Sequence, residues 1–362
     1  MWSWLKALFD VRRWGLVPAH VAPAPPPSTG GGVVYGEEPV LAPESHNDRV
    51  DPDPTPILGP PIWELGGVSP SVEFQVVRTA LMAELSRLMG TCADEGDRSF
   101  VMRLLLLVGK DKLDIPPFPD VARRLDRMLR SPEVPMHKVI KLLEGDPALV
   151  QRVWSRACGA AYLSPPPNFH AAVTRLGFDE LWRIAMSTCM YDAVFRVRGF
   201  QVEVSTLRTH GIVVGEVAAW LASGDKGQAY LAGLLHDVGK LIVLQAASVK
   251  PGERPPSHDL VMEVVAQYHA ALGVAVAEVW KLGDDVAAAI GFHHAPELLD
   301  EHREIAQFIR IADIATHTAA HTRAGIEGGG FLALLAITEP KFDAVRAIGK
   351  AHHMFEELAA EY

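Results

Sequence analysis

An all-α fold is what this sequence predicts, and three observations carry that expectation. Apolar residues recur at helical spacing through most of the chain, as in "STLRTHGIVVGEVAAWL", where Leu207, His210, Val214, Val217 and Leu221 share one stripe. No stretch sustains the period-two alternation that a half-buried strand needs. In "EGDPALVQRVW", Asp146 stands where an N-cap belongs and Pro147 occupies the first helical position, so a helix start is written out explicitly.

Taken in order, the chain opens with "MWSWLKALFDVRRWGL", an amphipathic segment over residues 1–16. Ser3, Lys6, Asp10 and Arg13 fall on one side, and Trp2, Trp4, Leu5, Leu8, Phe9 and Val11 cover the rest. Such a helix suits a membrane interface or a partner surface, or folds back onto its own body. Lys6, Asp10, Arg12 and Arg13 interrupt the apolar run, so it does not read as a signal peptide. Residues 17–69 are dense in Pro, Gly and acidic residues and cannot bury enough apolar surface to offset ordering entropy; they read as a linker, with polyproline recognition the alternative. "SVEFQVVRTALMAELSRLMG" and "SFVMRLLLLVG" are expected to form two accessory helices within 70–113. "DIPPFPDV" marks a boundary, after which the main domain runs from 114 to 345. Its helices are expected in "FDELWRIAMSTCMYDAVF", "STLRTHGIVVGEVAAWLA", "LAGLLHDVGKLIVLQ", "DLVMEVVAQYHAALGVAVAEVWKL", "DDVAAAIGFHH" and "REIAQFIRIADIATHTAAH".

Composition narrows the function classes. The formal net charge of −10 argues against a chain-wide nucleic-acid surface, so no nucleic-acid partner is expected. Three cysteines, Cys92, Cys158 and Cys189, are widely spaced and lack a CxxC pair, which fits thiols in helices in a reducing cytoplasm. No uninterrupted apolar run reaches the length of a membrane span. The expected location is cytoplasmic, peripheral at the inner membrane surface if residues 1–16 bind lipid.

Polar residues on apolar stripes carry the chemistry. His210 sits on the stripe named above, and Ile305, Ile309, Ala312, Asp313 and Thr316 place a carboxylate on another. His269 follows Val265 by four, and His293 and His294 follow Val286 and Ile290 in their helix. His236 and Asp237 lie side by side within an apolar run expected to be one helix. A buried unpaired carboxylate costs several kcal/mol or takes up a proton, so these groups must find partners. They either pair as a His–carboxylate network or surround a metal. Imidazoles and carboxylates without thiolates suit Fe, Mn, Zn or another divalent ion.

The arrangement resembles the HD phosphohydrolase superfamily, whose motif is His…His-Asp…Asp, and "HDVGK" is its centre here. It is closest to the HDOD group, the HD-related output domains of bacterial signalling proteins. The resemblance runs through "LLEGDPALVQRVW", "AAVTRLGFDELWRIAMS", "LAGLLHDVGKLIVLQ", "YHAALGVAVAEVWKL" and "AIGFHHAPE", with the HD-like core at about 205–321. It implies metal ligation by His210, His236, Asp237 and Asp313, with His269, His293 and His294 matching the extra histidines of two-metal members. It implies a role near a substrate phosphate for Lys240, for which a helix-end lysine near a C-terminal dipole is the alternative. Asp237 would be the bridging ligand of one or two ions. The Gly-Tyr-Pro signature of cyclic-di-GMP phosphodiesterases is absent from "FHHAPELLDEHREIAQ", so that substrate is not expected.

Remaining polar residues fall outside the expected site. Glu297 is read as a surface cap or a water-orienting acid, and His317 and His321 as an exposed helix end. His352 and His353 are expected to be solvated, and His20, His46 and His258 to lie in loops. The functional expectations are therefore a signalling output or scaffold module with a protein partner, a metal-dependent phosphohydrolase acting on a nucleotide or other phosphate ester, or a membrane-associated adaptor.

Overall fold

The structure, a computed structural model, describes residues 74–109, 115, 118–129, 135–159, 162, 164–194, 197–294, 303–323 and 344–360. The amphipathic segment 1–16, the linker 17–69 and Glu297 lie outside the described residues. Among the described residues there is no strand; helices follow one another from end to end.

The helices are α1 (Phe74–Thr91), α2 (Glu95–Gly109), α3 (Asp120–Leu129), α4 (Met136–Glu144), α5 (Pro147–Ala157) and α6 (Phe169–Val194). They continue as α7 (Gln201–Leu221), α8 (Lys226–Leu235), α9 (Val238–Ala247), α10 (His258–Trp280), α11 (Asp284–Phe292), α12 (Arg303–Arg323) and α13 (Ala344–Ala360). Local chemistry sets several starts. Asp146 accepts from the backbone N–H of Ala148 at 2.9 Å and Leu149 at 3.4 Å, with Pro147 opening α5 as expected. Asp225 caps α8 through the N–H of Gln228 at 3.0 Å. Gly177, at φ 75°, breaks α6 into two segments, the second beginning at Phe178 where the sequence suggested.

The run Leu231–Gln245 is not one helix. It breaks at His236-Asp237, with α8 ending at Leu235 and α9 beginning at Val238. The doublet therefore sits at a corner. That corner lets two neighbouring side chains face one centre, which a straight helix, turning each residue by about 100°, would not allow.

Pairwise packing of α7 with α8, α9 with α10, and α12 with both α7 and α13 builds the core around that corner. Small residues allow close crossings. A Cβ on Gly233 of α8 would stand 2.7 Å from the Cα of Gly215 on α7. One on Gly239 of α9 would stand 1.8 Å from the carbonyl oxygen of His269 on α10, which no side chain can occupy. Both crossings lie within one turn of a site residue. Helix α10 is long and apolar enough to cross a membrane by composition, yet 78% of its apolar window is buried inside the protein. Its apolar character serves as core.

The accessory helices α1 and α2 pack on each other and against α10 and α9, so their apolar faces join the main core. The C-terminal helix α13 packs on α12 and α7, burying Ala347, Ala351 and Met354. His353 is exposed as expected, while His352 Nε2 lies 3.0 Å from Thr322 Oγ1. His258 opens α10 and is not a loop residue. None of the three cysteines is in a disulfide; Cys189 is within α6, whereas Cys92 and Cys158 directly follow α1 and α5.

Candidate metal centre

Five segments deliver the site. His210 comes from the middle of α7, and His236 and Asp237 from the α8–α9 corner. His269 comes from α10, His293 and His294 from the residues just past α11, and Asp313 from α12. The structure brings all seven together, each buried, from 0% exposed at His293 to 6% at Asp237 and His294.

Tautomers are fixed from outside the cluster. His236 Nδ1 lies 2.7 Å from the carbonyl of Gly233, His269 Nδ1 2.8 Å from that of Val265, and His293 Nδ1 2.7 Å from that of Ile290. A carbonyl only accepts, so each Nδ1 carries the proton and each Nε2 is left as a donor atom facing inward. This is the support that metal-binding imidazoles ordinarily have. The Nε2 atoms of His269 and His293 are 3.4 Å apart, and those of His210 and His236 are 3.3 Å apart. Imidazoles bound at about 2.0–2.1 Å to a tetrahedral ion stand about 3.3–3.4 Å from one another, so both pairs fit a shared ion.

The Asp237 carboxylate has two faces. Oδ1 lies 3.6 Å from His269 Nε2 and 3.9 Å from His293 Nε2, while Oδ2 lies 3.3 Å from His236 Nε2 and 3.9 Å from His210 Nε2. One donor set thus comprises Asp237, His269, His293 and His294, and another His210, His236 and Asp237; within each the ligand atoms lie within 4.8 Å of one another. Asp237 Oδ1 and both ring nitrogens of His294 are buried without a hydrogen bond. A buried carboxylate oxygen beside a buried imidazole whose acceptor nitrogen has no partner is what a cation satisfies and what a plain His–carboxylate network would leave costly.

Electrostatics agree. Burial drives His210 and His269 down to about 4, and His293 and His294 well below the ordinary imidazole value, so these four are neutral ligands in waiting. His236 departs from them: burial opposes its charge, but the adjacent Asp237 and Asp313 carboxylates hold it up to about 10. Asp237 is held well below the carboxylate range, against burial, by His236 and Lys240.

Lys240 is buried in the first turn of α9, and its ammonium donates to Asp237 Oδ2. The alternative of a helix-end lysine near a C-terminal dipole is therefore incorrect; the corner at His236-Asp237 makes it a first-turn residue of the next helix. Sequence reasoning also misplaced His317. It is 4% exposed, and its Nε2 lies 3.2 Å from Asp313 Oδ1. The signal was present, because His317 is one turn beyond Asp313 and so shares its face.

An all-helical body that turns a His-Asp corner toward histidines and an aspartate from four further segments defines the class of HD-type helical domains. Within that class the sequence matches the HDOD domain over residues 115–296, half of the chain. The protein belongs to the HDOD family. An uncharacterized protein from Treponema pallidum (strain Nichols) is 25% identical over 219 residues, which cover 56% of this chain and 42% of that relative. The chain thus matches less than half the length of that relative. Among solved structures, a candidate metal-dependent phosphohydrolase from Shewanella amazonensis SB2B superposes with a TM-score of 0.51 at 21% identity, covering 77% of this chain and 99% of its own. That likeness shows the shared fold. An HDOD domain protein with unknown function from Geobacter sulfurreducens gives 0.48 at 20% identity, covering 73% of this chain and 95% of its own.

Proposed function

We propose that this protein is a signal-transduction output or scaffold module whose helical body engages a protein partner and whose His–Asp centre holds a pair of divalent ions. Donor chemistry of imidazole and carboxylate suits Fe, Mn or Zn. The observation that carries this reading is closure: all seven donors and Lys240 are 6% exposed or less. A centre so enclosed is suited to fixing the relation of α7, α9, α10 and α12, because an ion bound only by the folded state adds its binding energy to stability. A cytoplasmic location, with residues 1–16 as a reversible membrane contact, completes the proposal and rests on the sequence alone.

A second reading, a metal-dependent phosphohydrolase or phosphodiesterase, is favoured by Lys240, whose ammonium lies on the carboxylate shared by both donor sets. Bound divalent ions would supply an acidified water and polarise a phosphoryl oxygen. Asp237 would hold the ions at a fixed separation, and Lys240 would face charge developing on the phosphate. Assay of metal-loaded protein against p-nitrophenyl phosphate, bis(p-nitrophenyl) phosphate and cyclic nucleotides separates the two. The scaffold reading expects a rate no greater than that of the His236→Ala/Asp237→Ala variant. Metal-dependent turnover lost in that variant would replace it with the hydrolase.

A further inference from the structure

A cavity of about 490 Å³ opens away from the metal centre, between α3, α6, the first turns of α8 and the end of α10. That volume falls in the range of small-molecule sites, roughly 300–1,000 Å³. Helix α10 serves both places, but they are apart: His269 precedes Trp280 on the cavity wall by about 16 Å of helix.

Three aromatic rings line the cavity. Phe118, just ahead of α3, meets Trp280 edge to face, with centroids 5.9 Å apart and planes at 75°. Trp182 of α6 is held the same way against Tyr230, at 5.9 Å and 72°. The rings of Phe118, Trp280 and Trp182 are buried, so they are fixed in the core and only part of each is open to the cavity. The indole N–H of Trp182 donates to Asp126 Oδ1 at 3.0 Å, which pins the ring and engages the carboxylate of the cavity wall. Rings held in place before a ligand arrives cost little to order on binding.

Two cations stand at the same cavity. The guanidinium of Arg123 lies 5.8 Å from the centroid of Phe118. Lys281 closes α10 in the left-handed conformation, at φ 57° and ψ 50°, with its N–H on the carbonyl of Glu278 and that of Leu282 on Ala277, each at 3.0 Å. Glycine ordinarily fills that position of a helix end, and among the described residues Lys281 is the one non-glycine at positive φ. A cation kept where glycine is favoured, on the wall of a ligand-sized cavity, is a local cost that a binding role explains. Neither Arg123 nor Lys281 is ion-paired among the described residues. Two such cations, against one carboxylate that already accepts an N–H, favour an anion.

We propose that this cavity is a second binding site, for a small planar aromatic anion whose ring lies against Trp182 and Trp280 and whose charge meets Arg123 and Lys281. Gln228, half-buried in the first turn of α8, supplies an amide that both donates to and accepts from a heterocycle. A mononucleotide has this chemistry. The site needs no metal, so it stands or falls apart from the His–Asp centre.

The test titrates chelated, desalted full-length protein with AMP and GMP, read by calorimetry and tryptophan fluorescence. Their nucleosides lack the charge, and ribose 5-phosphate lacks the ring. At least one mononucleotide should bind saturably at one per chain, with its nucleoside and ribose 5-phosphate each weaker by about tenfold or more. Arg123→Gln/Lys281→Gln changes two exposed side chains; it should weaken the nucleotide by about tenfold and leave the nucleoside unchanged. Lys281→Gly relieves the left-handed backbone, so it should weaken nucleotide binding in protein that melts no lower. Ribose 5-phosphate bound as tightly as either nucleotide, or undiminished binding in the double variant, would overturn the proposal. So would tetramethylammonium bound more tightly than the anions, or no binding of any probe.

Discussion

Two polar clusters lie within this helical body, and they balance charge in opposite ways. One links α5, α6, α7 and α13: Arg156 meets Glu180 at 2.7 Å and Glu357 at 3.0 Å, and Arg183 meets Glu180 at 2.6 Å and Glu216 at 3.4 Å. Each carboxylate there is ion-paired with a guanidinium, Glu180 and Glu357 accepting hydrogen bonds as well, and each of these side chains keeps between 14% and 29% exposure. The other is the His–Asp centre, where nitrogen faces nitrogen at 3.3 and 3.4 Å and buried acceptors lack donors. The first cluster is complete as protein. The second has the donor set that a cation would complete, and that difference separates a structural ion-pair network from a candidate site.

The largest expected effect breaks the comparison at Asp237. Replacing Asp237 with Ala removes the carboxylate common to both donor sets and takes from buried Lys240 the carboxylate to which its ammonium donates. Both ions should be lost, and metal-free protein should be destabilised by about 3–5 kcal/mol, the cost typical of breaking a buried pair. Denaturant unfolding with and without chelator measures both parts.

Acidification should weaken the centre while sparing the network. His210 and His269 titrate near 4 in the fold, and His293 and His294 lower than their ordinary value, whereas unfolded imidazoles titrate at about 6.5. Below 6.5 the unfolded state binds more protons at these four, so their contribution to stability falls as pH drops from 6.5 toward 4. His236 runs the other way: its pKa of about 10 gives stability that is complete below 6.5 and lost as pH rises through 10. Four outweigh one, so chelated protein should melt at lower temperature at pH 5 than at pH 7. Glu180 is held below its ordinary 4.5, against burial, by Arg156 and Arg183, so its contribution persists at pH 5. An unchanged melting temperature would contradict the assignment of neutral imidazoles.

The smallest effect sharpens the contrast from the other side. Glu180→Gln should cost about 1–3 kcal/mol, because partly buried Arg156 and Arg183 lose a charged acceptor. Metal content should not change, as judged by elemental analysis. A loss of metal would mean that the clusters are coupled through α6 and α7.

Much of this was legible in the sequence where one helix decides the outcome. Asp146 and Pro147 announce α5, and the stripes on α7 and α12 bury His210 and Asp313 as their spacing demands. Features set by two elements at once were not legible. The break at His236-Asp237 falls within an otherwise apolar run, and it lies beside the close crossing of Gly239 against His269, a feature of two elements at once. His317 was misread because threonines flank it, and threonine looks exposed until its hydroxyl is seen folding back on its own helix. Helix α13 buries Ala347, Ala351 and Met354 at helical spacing, while of the two histidines expected in solvent His353 is exposed and His352 half-buried.

The central claim is that the His–Asp centre completes itself with divalent ions. Protein stripped with chelator, desalted at pH 7 and titrated with Mn(II) or Zn(II) in a calorimeter tests it directly. The account predicts saturable binding of two ions per chain with proton release, abolished by His236→Ala/Asp237→Ala, and a higher melting temperature on loading. A stripped protein that binds no divalent ion and melts unchanged would show that the cluster, like the Glu180 network, is complete without one.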